Sequence, residues 1–145
     1  VYKRQGLKDG LEGSGCEILW EYNYARGNQN TSEIIASKKQ VDYLVILDNW
    51  ALEEVGEAAE ENKYHGAKIY GVGSSEKAIV LLDNQNIECL VVPDDYETGY
   101  MSMNEIAKKL RHSFYKMNSC ETEVRIINKE DLYSKDLERF LYSYE

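Results

Sequence analysis

Three short polar clusters carry the side chains of this chain best suited to chemistry. Asp48, Asn49 and Trp50 follow the apolar run of residues 41–47, Ser74 and Ser75 follow Gly71, Val72 and Gly73, and Asp94 and Asp95 follow Pro93, the only proline. Each cluster lies where an apolar run gives way to a helical pattern. A carboxylate at a helix N-terminus is favoured in its charged form and can accept two hydroxyl donors at once, so Asp48 suits recognition of a hydroxylated ligand. The competing reading is a plain N-cap. Ser74 and Ser75 read as caps of the next helix, with Ser74 within reach of a ligand.

Catalytic patterns are poorly matched. There is no GxSxG elbow and no P-loop, and His65 and His112 lack a partner at metal or triad spacing. Adjacent loop carboxylates such as Asp94 and Asp95 point apart, which does not suit paired acid–base work. The run from Gly71 to Glu76 departs from a dinucleotide fingerprint at Glu76, whose carboxylate would face the pyrophosphate. A receiver domain needs an acidic pair, a phosphorylatable aspartate and a lysine, and Asp48 alone can be matched. Cys16, Cys89 and Cys120 form no CxxC pair, and Cys89 falls in an apolar run as a small core residue. Catalysis, a metal and a cofactor are therefore not expected.

Charge narrows the partners. With 145 residues and a net charge of -9, the chain is one ordinary domain without the electropositive face that nucleic acid or an anionic membrane requires. No apolar run is long enough to cross a bilayer.

The elements that position the clusters alternate along the chain. Residues 4–12 have helical composition and end in the Gly13–Gly15 turn. Residues 16–24 read as a strand near a sheet edge, and a loop at 23–28 leads to a helix capped by Asn30 or Thr31 and running to Gln40. The β-branched run at 41–47 reads as a strand buried on both faces. From Trp50 the apolar residues Leu52, Val55, Ala58 and Ala59 fall on one side of a helix. Strands at 67–72, 87–92 and 123–128 then alternate with helices at 76–84, about 97–114 and 129–142. This alternation predicts an α/β fold: a mainly parallel sheet of about five strands with helices on both faces. Ligands bind such sheets beyond the carboxyl ends of the strands, where the loops at 23–28, 48–50, 73–75 and 93–95 lie.

Two long segments, VDYLVILDNWALEEVGEAAE at 41–60 and AKIYGVGSSEKAIVLLDNQNIECLVVPDDYETGYMSMNEIAKKL at 67–110, resemble the second lobe of type I periplasmic binding proteins. These are the sugar-binding subunits of ABC uptake systems, with the effector cores of LacI-type regulators as relatives. Arg4, Gly6 and Leu7 with Gly10 and Leu11 are similar to the family's first-helix Arg-x-x-Gly-Phe pattern. The resemblance implies a carbohydrate-binding lobe in which Asp48 accepts sugar hydroxyls and Pro93–Asp94 is a hinge crossing facing the cleft. Asn49 and Trp50 join Asp48, and Trp50 offers a ring face for stacking, although local packing is the more ordinary role. Asn23 and Arg26 fall at the expected cleft edge, Arg26 as a loop arginine of ordinary solvated type.

In the family the lobe opens with a central strand ahead of the Arg4 pattern, between the strands at 16–24 and 43–47. The whole of 1–145 is therefore expected to be a single C-terminal lobe truncated at its N-terminus, lacking that strand and the N-terminal lobe. The resemblance implies a membrane permease as partner of the full-length parent. It also implies an extracytoplasmic setting, periplasmic or as a cell-surface lipoprotein. The alternative is an effector-binding core of a LacI-type regulator.

Overall fold

The computed structural model describes residues 2–25, 27 and 30–142. Helix α1 spans Tyr2–Leu11 and α2 spans Thr31–Ala36. Then β1 (Tyr43–Ile46), α3 (Asn49–Ala59), β2 (Lys68–Val72), α4 (Glu76–Asp83), β3 (Cys89–Pro93), α5 (Asp95–Arg111) and β4 (Val124–Ile127) follow in turn, and the short α6 (Glu138–Leu141) is last. The fold is α/β with a four-stranded sheet in the order β1-β2-β3-β4, parallel at β1/β2 and β2/β3 and antiparallel at β3/β4.

Register decides which side chains share a face. Leu44 pairs with Ile69 in one row, and Gly71, Leu90 and Ile127 align in the next row on the same face; Leu44, Ile69, Leu90 and Ile127 are all buried. Because strand order advances without reversal from β1 to β3, right-handed crossovers put α3 and α4 on the same face. There Leu52 and Val55 of α3 and Leu82 of α4 are fully buried in one cluster with those four residues. The opposite face is less covered: Tyr43, Val45, Val124 and Ile126 are all exposed.

Three sequence expectations are corrected. The run at 41–47, read as a strand buried on both faces, is buried on one, since Tyr43 and Val45 are exposed on the other. Residues 16–25, here called the extended stretch after their strand-like sequence, pair in no ladder, so the sheet has four strands where about five were expected. The stretch is held by other means. Trp20 Nε1 donates to Lys39 O at 2.8 Å, and Glu21 binds Arg4 at 2.6 Å and Lys8 at 2.8 Å. The helix expected at 129–142 is instead two 3-10 turns, Lys129–Tyr133 and Lys135–Leu137, followed by α6. Asp131 turns its carboxylate back onto the Asn128 N–H at 3.0 Å, a capping-box bond that fixes the start of the first turn. The resulting bends let Leu132, Phe140 and Leu141 all reach the core.

Between β1 and the extended stretch lies a cleft of about 1150 Å³. Its inner wall is a strand edge. Lys68 N–H donates to Asp42 O, so in a parallel ladder the even-numbered residues of β1 bond to β2 while Tyr43, Val45 and Leu47 turn their main chain toward the cleft. Lys3 Nζ of α1 takes the Leu47 carbonyl at 3.1 Å.

Candidate functional site

At the carboxyl edge of the sheet three helices begin side by side in the chain's logic: α3 after β1, α4 after β2 and α5 after β3. Each is capped by a polar side chain. Asp48 Oδ1 accepts from the N–H groups of Trp50 at 3.0 Å and Ala51 at 3.1 Å. Ser75 Oγ accepts from Ala78 N–H at 3.2 Å, and Asp94 Oδ1 from Glu97 N–H at 2.8 Å. These bonds satisfy main-chain donors that the first helical turn leaves without an internal partner.

The caps differ in what they leave for a ligand. Both cap bonds of Asp48 fall on Oδ1, and among the described residues Oδ2 takes no hydrogen bond, so the exposed carboxylate can both cap and accept from outside. Asp48 and Asn23 line the cleft together. Trp50 is half exposed one residue beyond Asp48. Ser74 is partly exposed, with its hydroxyl 3.5 Å from Asp95 Oδ2. Asp94 is buried, its N–H donating to Glu123 O at 3.0 Å, and it serves the start of α5. Pro93 ends β3 opposite Val124. Asn49 is engaged internally, through Glu53 at 2.8 Å and Ser75 N–H at 3.4 Å.

The structure thus brings Asp48 and Asn23 into one cleft and puts Ser74 at the same sheet edge, but gives Asn49 and Asp94 to internal bonds. Arg26 lies outside the described residues, as do Asn28 and Gln29 of its loop. Sequence reasoning missed Glu53, Ser75 as its partner, and Asp95 beside Ser74. The spacing of Asn49 and Glu53, four residues apart at a helix start, was the signal available for the first of these. No group of three or more His, Cys, Asp or Glu side chains placed to hold a metal occurs among the described residues. No helix among them is long and apolar enough to cross a membrane.

Parallel β-α units in sequence define an α/β lobe of the kind whose sheet edge at the carboxyl ends is the place for a ligand. The family model for the periplasmic binding protein domain matches residues 2–113, and the chain belongs to that family. No curated protein matches the sequence. Among solved structures, the chain is similar to a carbohydrate transporter solute-binding protein from Agrobacterium radiobacter in complex with D-arabinose. That match has 21% identity, covers 96% of this chain and 49% of the other, and has a TM-score of 0.79. An ABC transporter solute-binding protein from Agrobacterium vitis with bound D-fucose matches at 15% identity, over 77% of this chain and 39% of its own, with a TM-score of 0.66. GanP, a glucose-galactose binding protein from Geobacillus stearothermophilus, matches at 20% identity, over 71% and 37%, with a TM-score of 0.60. At these identities the likeness is one of fold, and the chain spans about half the length of the first of these relatives.

Proposed function

We propose that this chain is one wall of a carbohydrate receptor serving an ABC-type uptake system. The observation that carries the reading is Asp48: a carboxylate at the carboxyl end of a parallel strand, capping α3 through one oxygen and presenting the other at the rim of a large cleft. Hydroxyl donors of a sugar fit an acceptor held in this way. Asn23, Ser74 and the Trp50 ring complete the proposed contact set, with Pro93 and Asp94 as the crossing that fixes the start of α5. The similar proteins, two in complex with D-arabinose and D-fucose and one a glucose-galactose binding protein, support this class of ligand. Recognition without catalysis is the proposed activity, and the full-length parent would act outside the cytoplasm and hand its ligand to a permease.

Two features support an opposite wall supplied by other polypeptide. The edge of β1 away from β2 faces residues 16–25 across the cleft, a gap suited to one more strand. Tyr96, Tyr100, Met103 and Leu110 form an exposed apolar stripe along α5, at the spacing of one helix face, suited to a second lobe. One wall buries little of a small ligand, so affinity for this chain alone should be weak, in the millimolar range. Titration of the ¹⁵N-labelled chain with D-arabinose, D-fucose and D-galactose tests this: amide shifts should concentrate at residues 48–50 and 74–75. Shifts absent for all three sugars, or scattered away from the sheet's carboxyl edge, would refute the assignment.

A further inference from the structure

We propose that Glu53 is a positioning residue which clasps the loops after β1 and β2 together, and that Asn49 belongs to this clasp and not to the ligand. The ligand half of the statement rests on the sugar-binding reading above; the clasp itself does not.

Glu53 stands one helical turn after Asn49 and is half-buried. Its Oε1 accepts from Asn49 Nδ2 at 2.8 Å and from Ser75 Oγ at 2.7 Å. Asn49 Oδ1 accepts from the Ser75 main-chain N–H at 3.4 Å, which closes a ring of three residues across two loops. The ring continues into α4, because the same Ser75 Oγ takes the Ala78 N–H. Its geometry fixes the Asn49 amide, nitrogen toward the carboxylate and oxygen toward Ser75. Gly73 makes room for it: a Cβ there would collide with Asn49 Oδ1.

A carboxylate is the fitting hub for such a ring. It offers acceptors only, and bonds to a charged oxygen are stronger than neutral ones. Asp48 and Trp50 flank Asn49 in sequence, and Ser74 precedes Ser75, so the clasp sets how far apart the proposed ligand groups stand. Recognition of neighbouring hydroxyls depends on that separation being held to about half an ångström.

The test compares Glu53→Ala, Glu53→Gln and, as a control on the same helix, Glu57→Ala, which removes only the surface ion pair with Lys77. The first readout needs no ligand. The Asn49 side-chain amide resonances should move to solvent-exposed values with fast exchange in Glu53→Ala, and stay near their wild-type positions in Glu53→Gln, whose amide oxygen can still accept both bonds. The second readout is D-arabinose titration: affinity should fall about tenfold in Glu53→Ala and recover in Glu53→Gln, with Glu57→Ala unchanged. An Asn49 amide indifferent to Glu53→Ala overturns the clasp. An amide released with sugar shifts unaltered overturns the positioning role. Should the wild-type chain give no sugar shifts, the functional reading falls, while the Asn49 resonances still decide whether the clasp exists.

Discussion

Leu52 of α3 occupies the space above Gly71 of β2, where any Cβ would collide with its side chain. This contact sets how closely α3 packs on the sheet, and hence where Asp48 and Trp50 stand at the start of that helix. Gly71→Ala should cost about 1–3 kcal/mol by overpacking, and Leu52→Ala about 2–5 kcal/mol by the cavity it leaves. Because the two share one space, the double variant should be more stable than the sum of the single losses implies. Urea unfolding midpoints of the four proteins provide the check; strict additivity would contradict the packing described.

Asp48 holds two roles that substitution can separate. Asp48→Asn keeps a good N-cap acceptor, whereas Asp48→Ala should cost about 1 kcal/mol of stability through loss of the cap. Both remove the charged acceptor. Sugar-induced amide shifts should therefore weaken in both variants, while thermal unfolding is lowered mainly in Asp48→Ala.

Helix α1 buries no side chain. It is tied to the extended stretch through Glu21, whose carboxyl is held below its ordinary value of 4.5 first by the Lys8 hydrogen bond and then by that of Arg4. A depressed folded pKa means the tie is complete above that ordinary value and is lost as pH falls through the folded pKa. Salt should weaken it as well, since the pairs are exposed. Amide exchange along α1 should accelerate in acid, in high salt and in Glu21→Gln, with the exchange of α3 unchanged.

Glu105 gathers the segment that follows α5. Its carboxylate takes Lys108 Nζ at 2.8 Å, the Asn118 N–H at 2.8 Å and the Tyr115 hydroxyl at 3.0 Å. The Lys108 bond first, then the Asn118 N–H, hold its pKa down to about 2 from 4.5. The hub should therefore be intact above pH 4.5 and dissolve as pH falls toward about 2. A carboxyl-carbon titration of Glu105 checks the value, and Glu105→Ala should free the Asn118 amide to exchange at neutral pH.

Much of this architecture was legible from local pattern. The apolar runs at 41–47, 67–72 and 87–92, the caps Asp48 and Ser75, and the Leu52–Val55 seam of α3 all follow from periodicity and from the short-range geometry of helix starts. The resemblance to periplasmic binding proteins rests on the same ordered series of strand ends and glycines. Residues 16–24 have strand-like alternation, yet a strand exists only when another edge pairs with it. No residue within that stretch encodes whether one does. The end of the chain has helical composition, but its bends are set by burial of Leu132, Phe140 and Leu141 against distant elements.

The sequence by itself determined that helices follow the apolar runs at 41–47, 67–72 and 87–92 and that Asp48 and Ser75 cap two of them, because helix starts depend on neighbours within a few positions. Tertiary structure alone decided that Asp48 shares a cleft with Asn23, that Asp94 is enclosed, and that Glu53 reaches Ser75 across 22 positions. Those relations depend on crossovers bringing separate strand ends side by side, a distance in space that no local spacing records.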